Sequence, residues 1–143
     1  ESDTGMLVSR YPQSTARAIY LDMKDPNLGG VYENVVAQEL TALGVPLWYY
    51  QSEQAGEVDF LIEGKSGKVV PVEVKSGKKV RAHAALNHLL DIRDYKIPEA
   101  VVLSRNNLSQ EGRVTYAPLY MTFCLDELTE ESAGDFSFAP ALP

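Results

Sequence analysis

Cysteine is nearly absent from this sequence, with Cys124 the only one among 143 residues. A single cysteine excludes an intramolecular disulfide and a metal site built from several cysteines. It also fits a reducing, cytoplasmic setting. Long apolar runs are missing too: none approaches the roughly 18 residues that a membrane-spanning helix requires. We therefore expect no membrane partner.

Basic residues are scarce, because 13 Lys and Arg face 20 Asp and Glu and leave a formal net charge of −7. Nucleic-acid-binding proteins usually carry a basic footprint, so this total argues against one. The charge is uneven, however. Residues 1–63 carry ten acids and three bases, and residues 126–143 carry five acids and no base, whereas residues 64–81 carry six bases and one acid. By itself this basic stretch indicates a solvated turn and loop.

The length fits one domain with its own core, and 45% hydrophobic residues are ordinary for a globular chain. Apolar residues at helical spacing predict a helix over residues 32–43. Gly44 follows at the position where a helix C′ residue belongs, and Pro46 prevents the helix from continuing.

The remaining patterns predict strands alternating with helices. The predicted elements are an irregular stretch over residues 8–29 with a short helical or extended piece near Ala16–Leu21, strands at Leu47–Gln51, Glu57–Glu63 and Val69–Ser76, a helix over residues 82–95, a strand at Glu99–Ser104, and a helix or extended arm at Pro118–Leu128. Pro71 predicts a local irregularity in the third strand. The order predicts an α/β fold with a mixed central sheet flanked by helices.

Aromatic and histidine side chains outside this pattern are expected to be structural. Trp48, Tyr49 and Tyr50 lie in a predicted strand, where aromatic residues belong to the core more often than they stack on bases. His83 and His88 do not have the spacing of a helical metal pair, so we expect them to be at the surface or partly buried.

Three acids interrupt apolar patterns. Asp59 lies between Val58 and Phe60 within a predicted strand, where Asp is rare and its unpaired burial is costly. Glu73 lies in the next strand, and alternation places it on the same face as Lys75. Glu33 begins the apolar stripe of the first helix. All four side chains converge if the two strands pair and the helix packs over them.

Converging carboxylates repel each other, and a divalent cation relieves that repulsion. Mg²⁺ binds one or two carboxylates together with waters and substrate phosphate, and a nearby Lys offers a charge to a phosphate or an attacking water. Asp59, Glu73 and Lys75 therefore have the composition of a metal-assisted phosphodiester-hydrolysis site. An ion pair between Glu73 and Lys75 beside a solvated Asp59 is the structural alternative.

These residues also resemble a known signature. Val58-Asp59, followed after thirteen residues by Glu73-Val74-Lys75, resembles the PD-(D/E)xK nucleases, and the α-β-β-β-α-β order resembles the restriction-endonuclease-like core. Longer segments resemble the C-terminal domain of unknown function attached to AAA-type ATPases in bacteria and archaea, over about residues 2–125. Those segments are Asp3–Leu7, Gly30–Val36, Gly56–Phe60, Pro71–Gly77, Val102–Ser104 and Pro118–Tyr120.

The nuclease resemblance implies a role for each matching residue. Asp59 and Glu73 would bind Mg²⁺ or Mn²⁺ together with the carbonyl of Val74, and Glu33 would hold the metal directly or through water. Lys75 would assist the nucleophilic water. The basic stretch beside this motif supplies Lys78, Lys79 and Arg81 as candidate nucleic-acid-binding residues.

The ATPase resemblance implies the organisation of a longer chain. Residues 1–29 would continue from a missing ATPase and winged-helix region, and residues 30–125 would form the nuclease-like core. Residues 126–143 lie outside the resemblance, and their composition predicts an acidic, proline-containing tail. Gly64-Lys65-Ser66 lacks the upstream Gly of a P-loop, so we expect no ATPase in this fragment.

Two functions remain open. One is a metal-dependent nuclease domain, endo- or exonucleolytic, that acts on DNA or RNA. The other is a non-catalytic module on the same fold that binds nucleic acid, a partner protein or a second copy of itself as a homo-oligomer.

Overall fold

The computed structural model describes residues 3–21, 28–54, 56–77 and 80–125. They form four α-helices and six strands together with two short 3₁₀ helices. The α-helices are α1 (Thr4–Ser9), α2 (Gln13–Tyr20), α3 (Gly29–Ala42) and α4 (Ala84–Asp91); the strands are β1 (Trp48–Ser52), β2 (Gly56–Glu63), β3 (Val69–Val74), β4 (Ala100–Ser104), β5 (Ser109–Glu111) and β6 (Val114–Pro118); the 3₁₀ helices are Arg93–Tyr95 and Leu119–Cys124. None of the helices in this described part is long and apolar enough to cross a membrane.

Residues at the C-terminal end of helix α3 terminate it. Gly44 adopts a left-handed conformation with φ of 76°. Its N–H donates to the carbonyl of Thr41 at 3.0 Å, and the Val45 N–H donates to the carbonyl of Leu40 at 2.9 Å. This pair of bonds is the Schellman motif, which satisfies the last carbonyls of a helix. The predicted helix end is thereby confirmed.

All six strands belong to one mixed sheet, in the order β1-β2-β3-β4-β6-β5. Strands β1, β2 and β3 are antiparallel neighbours, whereas β3, β4 and β6 run parallel to one another. Helix α4 lies in the crossover between β3 and β4, as a parallel connection requires. The predicted α/β fold with a mixed sheet flanked by helices is confirmed.

Each face of the sheet buries one apolar cluster. On one face Val36 and Leu40 of α3 pack against Ile62, Val72 and Leu103. On the other face the residues Leu86 and Leu89 of α4 pack against Val58, Val102 and Tyr116. Strands β2, β4 and β6 contribute to both clusters, so the sheet is covered on both sides.

Pro71 does not disturb its strand, contrary to the prediction. The β2–β3 register is unbroken from Phe60↔Val72 to Glu63↔Val69. On the β4 side the Lys75 N–H donates to Leu103 at 2.8 Å. Every second residue of β3 faces β4, so the same pattern would pair residue 73 with the carbonyl of residue 101 and residue 71 with that of residue 99. Position 99 precedes β4, which begins at Ala100. The proline therefore removes no ladder bond there.

Three further predictions about structure hold only in part. The short helical piece predicted near Ala16–Leu21 lies largely within α2, but α2 and the end of α1 occupy residues predicted to be irregular, and residues 22–27 lie outside the described residues. The Thr4 hydroxyl of α1 accepts hydrogen bonds from Asn34 at 3.1 Å and Gln38 at 2.8 Å. In the helix or extended arm predicted at Pro118–Leu128, Pro118 ends β6 and Leu119–Cys124 form a 3₁₀ helix, while residues 126–128 lie outside the described residues; β6 pairs with the unpredicted β5. Trp48 and Tyr49 are exposed because β1 is an edge strand.

A Gly44→Ala substitution tests the helix end. An L-residue in this left-handed conformation is strained, so we expect the free energy of unfolding to fall by about 1 kcal/mol in urea titrations. Gly77→Ala is the matched control, since neither added Cβ has a described atom within 4 Å and only Gly44 has a positive φ. Equal effects of the two substitutions would contradict this account.

Candidate functional site

A β-bulge in β2 places Asp59. Trp48 of β1 pairs with Leu61, and Tyr50 pairs with Val58. Two steps along β1 therefore match three along β2, so that Asp59 and Phe60 together oppose Tyr49. The extra residue interrupts the alternation, and Val58 and Leu61 pack on one face of the sheet. Such bulges occur next to active sites, where they redirect a side chain.

Strand β2 separates from β3 at the same place. Their ladder ends at the pair Phe60↔Val72. The next amide of β3 that points toward β2 therefore has no β2 carbonyl to bind. That amide belongs to Val74, and it donates to Asp59 Oδ2 at 2.7 Å. The Asp59 carboxylate thus replaces a backbone acceptor at the opening of a gap between the two strands.

Glu73 lies beside this gap and is 7% exposed. Its Oε1 accepts a hydrogen bond from Lys75 Nζ at 2.5 Å. Its Oε2 is buried and has no hydrogen-bond partner among the described residues. An unsatisfied carboxylate oxygen inside a protein carries a large desolvation cost, so an additional ligand at this atom would be stabilising.

The four predicted site residues lie close together, since the charges of Glu73, Glu33 and Lys75 all act on the pKa of Asp59. Burial raises the pKa of Asp59 to about 7, and the negative charges of Glu73 and Glu33 act in the same direction. The hydrogen bond from Val74 and the charge of Lys75 act against that rise. Three acidic side chains, those of Asp59, Glu73 and Glu33, are therefore grouped around Lys75, the one basic residue among these influences in the described part of the chain.

Glu33 joins this group from the N-terminal half of α3. Burial raises the pKa of Glu33, as do the charges of Glu57 and Glu73, while Lys75 lowers it. Glu57 is the acid that the sequence interpretation missed at this end of β2. The signal was available, since Glu57 lies two residues before Asp59 in the same predicted strand.

The acids do not form a complete metal cage. No three His, Cys, Asp or Glu side chains within the described ranges are arranged to hold a metal ion. The donor chemistry nevertheless fits a hard cation, because carboxylate oxygens are its preferred ligands and one of them, Glu73 Oε2, has no described partner. The carboxylates of Asp59 and Glu73 therefore have the chemistry that would suit a divalent ion.

Of the three predicted nucleic-acid-binding residues, Arg81 is among the described residues. Lys78 and Lys79 lie outside the described residues. Arg81 has an exposed side chain that pairs with Glu111 and lies over the Tyr116 ring, 5.1 Å from its centroid. A role for these three residues in binding nucleic acid remains a prediction.

His83 is buried, contrary to the expectation of a surface or partly buried residue, and its Nε2 lies 2.8 Å from the Tyr116 hydroxyl. The sequence held no signal for this pair, since the two residues are 33 positions apart. His88 is exposed, as expected.

Comparison with known proteins assigns the family. Residues 28–121 match the model described as Domain of unknown function (DUF4143), which spans the chain from the start of α3 to the last 3₁₀ helix. The chain therefore belongs to this family, a domain often found after AAA ATPases. No curated protein and no solved structure matches the chain.

Asp59→Asn tests the electrostatics of the site. A carboxyl whose pKa is about 7 when folded and 3.8 when unfolded binds a proton more tightly in the folded state. Stability then falls as pH rises from about 4 to about 7. We expect Asp59→Asn to be more stable than the unsubstituted chain at pH 8 without divalent ions, and to match it near pH 4.

The measurement is the urea midpoint at several pH values, with the exposed Asp94→Asn as control. Some pH dependence remains in Asp59→Asn because the pKa of Glu33 is also raised. A variant that is less stable than the unsubstituted chain at pH 8 would contradict this assignment.

Proposed function

We propose that this chain is a divalent-metal-dependent nuclease domain that hydrolyses phosphodiester bonds in DNA or RNA. The observation that carries the proposal is the buried Oε2 of Glu73, which has no described hydrogen-bond partner and lies beside the acidic group of Asp59 and Glu33. A structural ion pair alone does not account for this atom, because Lys75 contacts only Oε1.

Asp59 and Glu73 are the proposed side-chain ligands of Mg²⁺ or Mn²⁺. The Val74 carbonyl is the proposed third ligand, because the N–H and C=O of a strand residue leave the same edge, and the N–H of Val74 points to Asp59. Glu33 would act directly or through a water. Two carboxylates with waters and substrate phosphate are an ordinary Mg²⁺ environment. When bound, the metal would polarise the phosphoryl oxygen and lower the pKa of its water.

Lys75 is the proposed positioning group for the attacking water. Its ammonium has three N–H donors, of which one is used by Glu73 Oε1. The remaining donors can bind a water or a phosphate oxygen. The contact with Glu73 fixes the ammonium next to the gap, and its positive charge would stabilise the charge that develops on the phosphoryl group.

A non-catalytic module is the second candidate. The Lys75–Glu73 pair favours it, because Lys75 gives Glu73 a counter-ion without any metal. Such a module would bind nucleic acid, a partner protein or a second copy of the chain. For either function the ATPase region of a longer chain is a proposed partner, in keeping with the usual context of the family.

Calorimetric titration with Mn²⁺ distinguishes the two candidates. We expect binding that weakens at least about tenfold in Asp59→Asn and in Glu73→Gln, since each substitution removes a charged ligand. Affinity should rise from pH 6 to pH 8, because the metal displaces the proton of a carboxyl with a pKa of about 7. Glu63→Gln, at the opposite end of β2, is the control. Equal binding by all four proteins would rule out this site.

Cleavage assays test the reaction itself. The chain is incubated with Mg²⁺ or Mn²⁺ and with single- and double-stranded DNA and RNA. We expect product formation that falls by about 10²-fold or more in Asp59→Asn and in Lys75→Met, and that is unchanged in Glu63→Gln. Cleavage that survives Asp59→Asn would point to a contaminant and would contradict the proposal.

A further inference from the structure

The two edges of the sheet are unlike each other. Strand β5 is three residues long and carries Glu111, which pairs with Arg81. Short length and charge are common protections of an edge. Strand β1 is five residues long and has no charged residue. Its Trp48 is 49% exposed and its Tyr49 is 71% exposed.

Tyr49 is held in place rather than loosely exposed. Its ring centroid lies 5.7 Å from that of Phe60, with the planes inclined by 50°. Phe60 is 3% exposed, so one side of the Tyr49 ring is fixed against the core while most of the side chain faces solvent. An exposed aromatic ring with a buried support can stack on a planar ligand at little entropic cost.

The position of this ring links it to the candidate site. Tyr49 lies directly opposite Asp59 and Phe60 at the bulge, and residues opposite each other on adjacent strands have Cα atoms only about 5 Å apart. A polynucleotide with a phosphate at Asp59 would therefore bring a neighbouring base to the Tyr49 ring.

We propose that Tyr49 is a stacking platform for a nucleobase and that the substrate at this site is a single-stranded nucleic acid. This inference rests on the proposed nuclease function and names its substrate class. Base–aromatic stacking needs an exposed base face, and the interior bases of a duplex are already stacked. A single strand offers such faces along its whole length.

The charge of the chain favours a single strand over a duplex. A net charge of −7 is unfavourable for binding a duplex, whose affinity depends on neutralising many phosphates. Stacking adds affinity without requiring basic residues. Binding should therefore depend weakly on salt, with a slope of log Kd against log salt below about 1.5, equivalent to about two phosphates.

The test measures binding of an oligothymidylate of about ten nucleotides and of an abasic strand of equal length, in EDTA so that no cleavage occurs. Trp48, the only tryptophan and the neighbour of Tyr49, supplies a fluorescence signal, and a labelled strand supplies anisotropy. We expect the base-bearing strand to bind at least about fivefold more tightly than the abasic strand. Oligouridylate and a duplex are parallel arms that separate RNA from DNA and paired from unpaired bases.

Tyr49→Leu should abolish the preference for the base-bearing strand, whereas Tyr49→Phe should keep it. Tyr95→Leu removes another exposed tyrosine, at the opposite end of the sheet before β4, and is the matched control. Equal affinity for the two strands, undetectable binding of both, or an unchanged preference in Tyr49→Leu would overturn the inference. These binding arms do not require catalysis, so a failed cleavage assay with an intact Tyr49-dependent preference would reject the nuclease and retain the base platform.

Discussion

The hydrogen bond from the Val74 amide to Asp59 Oδ2, 2.7 Å long, is the interaction around which this end of the molecule is organised. It exists because β2 bulges opposite Tyr49 and pairs with β3 only from Phe60 onward. A buried amide without an acceptor would be costly, and the Asp59 carboxylate removes that cost. The same bond fixes one oxygen of Asp59 at the mouth of a gap next to Glu73.

The gap concentrates negative charge that the fold itself does not balance. Burial and the charges of Glu73 and Glu33 raise the pKa of Asp59, burial and the charges of Glu57 and Glu73 raise the pKa of Glu33, and the charge of Lys75 opposes both shifts. Groups whose pKa is shifted by burial and by like charge are common at functional sites. A site of this kind lowers the stability of the folded chain at neutral pH. A cation that binds there would restore that stability, which would couple metal binding to folding. The exposed ring of Tyr49 lies on the neighbouring strand opposite Asp59, so the proposed base platform and the proposed chemistry would lie side by side.

Local pattern was enough to predict the elements that carry the site. Helix α3 followed from its apolar stripe and from Gly44, and the placement of Glu73 with Lys75 followed from strand alternation. The bulge could not be predicted, because it depends on the register between β1 and β2 and not on either strand alone. Helices α1 and α2 are six and eight residues long, shorter than the roughly 12 residues at which isolated helices become stable. Contacts such as Thr4 with Gln38, 34 positions away, support α1, and no local pattern reports them. Strand β5 has only the sequence Ser-Gln-Glu, which shows no apolar alternation, and it forms by pairing with β6.

The central claim is that Asp59 and Glu73 share a divalent cation in the gap between β2 and β3. Anomalous diffraction from crystals of the chain soaked in Mn²⁺ tests it most directly. The account predicts one Mn²⁺ peak bound by Glu73 Oε2, by an Asp59 oxygen and by the carbonyl of Val74. Fully occupied Mn²⁺ elsewhere, with Lys75 still bound to Glu73 and no peak in the gap, would contradict it.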